Sequence, residues 1–125
     1  MSSKTDAGKR VLVVEDEMMI RMLLEGMLTD LGYTVAGQAG EIDEALALVK
    51  QAEFDVALLD VNLNGNPITP VVDALIARGV PFVFASGYGQ RGVPEAYRAS
   101  PILQKPFQME ALAEALEAAV PQPAS

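Results

Sequence analysis

The stretch Phe54-Asp55-Val56-Ala57-Leu58-Leu59-Asp60 decides the fold, because an apolar run ends there abruptly in a carboxylate. The aliphatic residues 56–59 predict a buried strand. Taken alone, Asp60 would be read as a helix-capping or loop carboxylate. A charged group at the end of so apolar a strand nevertheless needs a reason, and we predict that Asp60 is a nucleophile.

Three more apolar runs end in polar side chains of chemical interest. Each of these side chains stands at the exit of a predicted strand, so the pattern at Asp60 is repeated along the chain. Glu15 and Asp16 follow residues 11–14, Ser86 follows residues 82–85, and Lys105 follows residues 102–104.

Strand-like runs alternate with apolar stripes of helical spacing along the whole chain. This alternation predicts a doubly wound α/β fold with a five-stranded parallel sheet. Ligands bind outside the carboxyl ends of such strands, so the five polar side chains should meet at one edge. Residues 62–67 are dense in turn formers and predict a loop. Residues 87–100 show no clear stripe and predict a short or mobile fourth helix. The predicted strands are 10–14, 33–39, 56–59, 82–85 and 102–104.

Length and composition predict the number of domains and argue against two classes of partner, DNA and membranes. The 125 residues predict one domain over 9–120, with a disordered N-terminal arm at 1–8 and a flexible tail at 121–125. A net charge of −8 without a basic run argues against DNA binding. No apolar run approaches the roughly 18 residues of a membrane span, so we expect no membrane insertion and a cytoplasmic location.

The absence of cysteine and histidine restricts the chemistry further. Thiol catalysis, imidazole zinc sites and histidine-dependent triads are excluded. Two carboxylates about 5 Å apart repel by roughly 3 kcal/mol at an effective dielectric of 20, so a cation is needed. We predict Mg²⁺, held by Asp16 and Asp60, with Glu15 acting through water and the backbone carbonyl of Asn62 as a further ligand.

With the metal bound, Asp60 could attack a phosphoryl group and become an aspartyl phosphate. Lys105 would neutralise the equatorial oxygens and Ser86 would donate a hydrogen bond to the remaining one. Simpler explanations exist for each residue. Glu15 and Asp16 could merely begin a helix, Lys105 could be a surface lysine, and Ser86 could be a turn hydroxyl.

The ordered set Glu15-Asp16, Asp60, Ser86 and Lys105-Pro106-Phe107 resembles the receiver domains of two-component response regulators. The resemblance covers essentially the whole chain and implies a flavodoxin-like receiver fold. It also implies phosphoryl transfer from the phosphohistidine of a histidine kinase or phosphotransfer protein to Asp60. The chain contains no histidine, so the donor must be another molecule.

The stretch Pro81-Phe82-Val83-Phe84-Ala85-Ser86-Gly87-Tyr88-Gly89 is similar to a narrower group of single-domain receivers. That group is named for a Phe-Ala-Thr-Gly-Tyr signature, and Ser86 stands here in the place of Thr. The resemblance implies a general stress phosphorelay and kinases of the HWE type.

One position departs from the commoner receiver pattern. Typical receivers carry Tyr or Phe three residues before the lysine, and this chain has Ile102 there. An aliphatic side chain cannot act as the same aromatic switch. We therefore predict that the segment 87–92, with Tyr88, is the moving element.

The leading hypothesis is a phosphoacceptor signalling domain rather than an enzyme, which signals to a downstream protein partner. Its use as a relay intermediate, a phosphate sink or a direct regulator is left open. A haloacid-dehalogenase-type phosphatase is one alternative, but such enzymes usually need a second Asp where this chain has Asn62. A pseudo-receiver that binds partners without phosphorylation is the other.

Overall fold

A computed structural model describes residues 9–86, 102–105 and 107–120 of the chain. These residues form a five-stranded sheet in the order β2-β1-β3-β6-β7, whose neighbouring strands all run parallel, and a small antiparallel pair, β4-β5. The predicted doubly wound α/β fold is confirmed. The strands are β1 Arg10–Val14, β2 Thr34–Ala39, β3 Val56–Asp60, β4 Asn62–Leu63, β5 Asn66–Pro67, β6 Phe82–Ser86 and β7 Ile102–Gln104. The helices are α1 Met18–Asp30, α2 Ile42–Gln51, α3 Thr69–Arg78 and α4 Met109–Ala119.

Four predictions fall on other parts of the chain. The N-terminal arm at 1–8, the moving element at 87–92, the helix predicted within 87–100 and the tail at 121–125 lie outside the described residues.

Helices cover both faces of the sheet, and successive strand residues point to opposite faces and are buried on both. In β3, Ala57 and Leu59 belong to the apolar cluster that α2 and α3 cover. Val56 and Leu58 belong to the cluster on the opposite face, under α1 and α4. This two-sided burial explains why the central strands read as uninterrupted apolar runs in the sequence.

The helices begin and end where local chemistry favours it. Pro70 lies in the first turn of α3, where its missing N–H breaks no helical hydrogen bond. Gly79 ends the same helix with φ of 73°, a left-handed conformation that glycine adopts without steric cost. Among the described residues, no helix combines the length and the apolarity needed to cross a bilayer.

The segment predicted as a loop at 62–67 forms a small hairpin, β4-β5. Asn64 and Gly65 form its turn, with φ of 53° and 81°. Two consecutive residues with positive φ match the right-handed twist of paired strands, which is why Asn-Gly favours a two-residue hairpin. Leu63, beside the turn, and Ile68, directly after β5, are each only 1% exposed, so the hairpin is fixed against the core.

Candidate functional site

The carboxyl edge of the sheet brings the predicted acids together. β1 and β3 are neighbours, with Val14 paired to Leu59, so the residues that follow lie side by side. One carboxylate oxygen from each of Glu15, Asp16 and Asp60 lies within 4.8 Å of the others. Glu15 is only 2% exposed and Asp60 9%, so two of the three carboxylates are largely removed from water.

Lys105 reaches this cluster from the end of β7. Its backbone N–H donates to the carbonyl oxygen of Ser86 at 3.0 Å, which extends the pairing of β6 with β7 by one residue. Its Nζ lies 2.8 Å from Glu15 Oε1 and 3.2 Å from Asp60 Oδ2. One ammonium is therefore shared between two carboxylates, and a third carboxylate stands beside them.

Burial and ion pairing act in opposite directions on the pKa values of Glu15 and Lys105. Burial raises the pKa of Glu15 from 4.5 to about 7, although the Lys105 ammonium and the Glu17 backbone N–H oppose the rise. The neighbouring Asp16 and Asp60 act in the same direction as burial. Burial lowers the pKa of Lys105, but its contacts with Glu15 and Asp60 outweigh burial and raise it above 10.5. Near neutral pH, Glu15 is poised between its charged and neutral forms.

Asp16 has a different environment from Glu15. It is half-buried, and its Oδ2 accepts a hydrogen bond of 3.0 Å from the backbone N–H of Asn64 at the hairpin tip. The sequence analysis did not identify Asn64. The Asn64-Gly65 pair was the available signal, because it places a two-residue turn close after β3.

The donor set fits a hard divalent cation. Mg²⁺ prefers oxygen ligands, commonly one or two carboxylates, and the cluster presents three carboxylates against one ammonium. A second positive charge would offset the repulsion that Lys105 leaves uncompensated. Glu15 was predicted to act on the metal through water. The structure adds a contact that the sequence did not reveal, because Glu15 Oε1 lies 2.8 Å from Lys105 Nζ.

Of the four remaining predicted site residues, three have a described position in the structure. Ser86 is the last residue of β6, 1% exposed, at the same edge as Asp60. Asn62 begins β4 two residues beyond Asp60. Ile102 is half-buried in β7, paired with Phe84, and packs against the core cluster under α2 and α3. Tyr88 lies outside the described residues. The functional roles of all four stay predictions.

Comparison with known proteins places this arrangement in a family. Residues 11–117 match the response regulator receiver domain, and the chain belongs to that family. Receiver domains are typically signalling domains rather than enzymes. The resemblance inferred from the sequence is thereby confirmed.

Individual relatives show how far the similarity extends. The transcriptional regulatory protein PdtaR of Mycobacterium tuberculosis is 35% identical over 116 residues, which are 90% of this chain but only 57% of PdtaR. The solution structure of SdrG from Sphingomonas melonis Fr1 is 46% identical with a TM-score of 0.81, covering 89% of this chain and 95% of SdrG. A structure of the PhyR stress response regulator is 26% identical with a TM-score of 0.76, covering 91% of this chain and 45% of PhyR.

Proposed function

We propose that this chain is a phosphoacceptor switch in which Asp60 receives a phosphoryl group from a separate donor protein. The observation that carries the proposal is the position of Lys105 Nζ, 3.2 Å from Asp60 Oδ2 and 2.8 Å from Glu15 Oε1. A structural ion pair would require one acid. Three clustered carboxylates at a sheet edge, with a lysine shared between two of them, suit a site built to hold a cation and a phosphoryl group.

The transfer step uses a carboxylate oxygen of Asp60 as the nucleophile. A new O–P bond forms as the bond from phosphorus to the donor's leaving atom breaks, and the leaving group departs with the electron pair. The Lys105 ammonium offsets negative charge on the phosphoryl oxygens, and the Ser86 hydroxyl donates to one of them. Mg²⁺, when bound, supplies further charge neutralisation.

The metal would be held by the acids at the edge of the sheet. Asp16 and Asp60 would ligate it directly, with the Asn62 carbonyl as a further oxygen ligand and Glu15 nearby. This assignment is supported by the mutual proximity of the three carboxylates and by their oxygen-only donor set.

The donor must act in trans, because the chain has no histidine. We assign this role to a histidine kinase, of the HWE type by the Phe-Ala-Ser-Gly-Tyr stretch at 84–88, or to a phosphotransfer protein. The phosphorylated domain would then signal to a downstream protein by a change of conformation. A general stress phosphorelay is supported by that stretch and by the similarity to the PhyR stress response regulator.

Acetyl phosphate with Mg²⁺ tests the proposal directly. Intact-mass spectrometry should show one added phosphoryl group on the native chain and none on Asp60→Asn. Asp73→Asn, which changes an exposed carboxylate on α3, is the matched control and should be modified like the native chain. Chelation of Mg²⁺ should suppress the reaction. Equal uptake by Asp60→Asn would refute the assignment, and no uptake by the native chain would favour a phosphorylation-independent interaction module.

A further inference from the structure

The tip of the β4-β5 hairpin is bonded to two distant parts of the chain. The Asn64 backbone N–H donates to Asp16 Oδ2 at 3.0 Å. The Asn64 side-chain amide donates to the Gly40 carbonyl oxygen at 3.2 Å. A single residue therefore links the acidic cluster to the end of β2.

The turn conformation makes the Asn64 N–H available for this contact. The hairpin pairs Leu63 with Asn66 and Asn62 with Pro67, so Asn64 stands outside the ladder of paired residues. Its φ of 53° is a left-handed conformation that Asn adopts more readily than most other residues. Leu63, the residue directly before the turn, is buried in the core, so the point from which the tip projects is fixed.

Gly40 gives the Asn64 side chain a firm anchor. The Gly40 N–H donates to Glu44 Oε1 at 3.0 Å, which ties residue 40 to α2. A Cβ atom built on Gly40 would lie 2.9 Å from Arg21 Nη1, so the Arg21 guanidinium packs directly against residue 40 from α1. Residue 40, whose carbonyl accepts the Asn64 amide, is thus in contact with side chains from two helices.

We propose that Asn64 is a positioning residue for the acidic site, which fixes the Asp16 carboxylate in a ligating orientation before a cation binds. A carboxylate has two oxygens and about four lone-pair sites, so the single N–H bond to Oδ2 leaves room for a metal. Fixing the side chain in advance removes part of the ordering cost of binding. The proposal rests on the proposed function, because that function supplies the metal.

The test compares Mg²⁺ affinities of matched variants by titration of backbone amide shifts. Asn64→Gly keeps the positive φ and the backbone N–H but removes the anchor to Gly40. Without that anchor the backbone N–H of residue 64 is no longer held in place against Asp16 Oδ2, and Mg²⁺ binding should weaken by about tenfold, the lower end of what a loosened ligand-orienting contact costs. Asn66→Ala, a change at an exposed position of the same hairpin, should bind Mg²⁺ within about twofold of the native chain, and urea unfolding checks that both variants are folded.

A second comparison asks whether Asn64 acts through Asp16. In an Asp16→Asn background, Asn64→Gly should cause no further loss of Mg²⁺ affinity. An equal tenfold loss in that background, or native affinity in Asn64→Gly alone, would overturn the positioning role.

A metal-free measurement separates this proposal from the proposed function. Amide hydrogen exchange in the presence of chelator should show the Asn64 N–H protected in the native chain and faster in Asp16→Ala. Unchanged exchange in Asp16→Ala would overturn the contact on which the positioning role depends. Absence of Mg²⁺ binding by the native chain, with the exchange difference still present, would instead refute the metal site and with it the positioning role, while leaving the contact itself supported.

Discussion

Replacing Glu15 by Gln should change the pH dependence of stability in a direction opposite to that of most carboxylates. Burial raises the pKa of Glu15 from 4.5 to about 7 in the folded chain. Between these values the folded state keeps a proton that the unfolded state has released. Stability contributed by this group therefore falls as pH rises from 4.5 to 7 and is constant outside that window. At about 1.4 kcal/mol per pKa unit, the loss is about 3 kcal/mol.

The Gln variant has no proton to release at this position, so residue 15 no longer lowers its free energy of unfolding as the pH rises. Urea unfolding in chelator, followed by circular dichroism, would give the free energy of unfolding of both proteins across pH 4.5 to 7.5. The difference, Gln variant minus native, should rise by about 3 kcal/mol over that range. Loss of the contact with Lys105 adds an offset that does not produce this rise. Glu117→Gln, at an exposed position on α4, is the control and should give a flat difference. A flat difference for Glu15→Gln would refute the reasoning.

Three further substitutions test other parts of the structure. Lys105→Met removes the ammonium that contacts Glu15 and Asp60, and urea unfolding should show a loss of about 3 kcal/mol at pH 8. The loss should be much smaller at pH 5, where Glu15 is protonated, and equal losses would contradict the ion-pair account. Phe84→Ala empties a fully buried position and should cost about 3–5 kcal/mol in the same assay, whereas a cost under about 1 kcal/mol would mean that the core there is loosely packed. Gly79→Ala puts a Cβ at φ of 73° and should cost about 1–2 kcal/mol, and an unchanged unfolding midpoint would contradict the left-handed helix end.

The fold was predictable because its signals are local and repeated. Apolar runs bounded by polar residues marked the five main strands to within a residue, and apolar stripes of helical spacing alternated with them along the chain. Ser86 was expected just after its strand and is the last residue of β6, a boundary difference that pattern alone does not resolve. The parallel order then followed from the alternation of strands with helices.

The contacts within the site were less predictable than its location. The sequence predicted that the site residues lie at one edge of the sheet. Which partners Glu15 and Asp16 contact depends on the direction of each side chain. Consecutive residues point apart, and here Glu15 meets Lys105 whereas Asp16 meets Asn64. These contacts join residues 90 and 48 positions apart, and only the folded register of the strands decides them.

The prediction of a loop at 62–67 shows a different kind of shortfall. The Asn64-Gly65 pair is a strong local signal for a hairpin turn. The strands on either side have only two residues each, which is too short to show the apolar alternation that normally identifies a hairpin. Turn chemistry was recognised and its consequence, a hairpin, was not. Asn64 was missed for the same reason.

The place of Lys105 in the chain also has a consequence for local opening. Within residues 9–86, 102–105 and 107–120, β7 is the shortest strand of the main sheet, with three residues, and it lies at the edge. Edge elements with few backbone bonds are usually the first to open. Opening here would carry Lys105 away from Glu15 and Asp60, leaving two desolvated acids without their counterion. The ion pairs of Lys105 with Glu15 and Asp60 therefore stabilise β7 against opening, in addition to its backbone hydrogen bonds with β6. Protonation of Glu15 removes one of these ion pairs and makes opening of β7 easier.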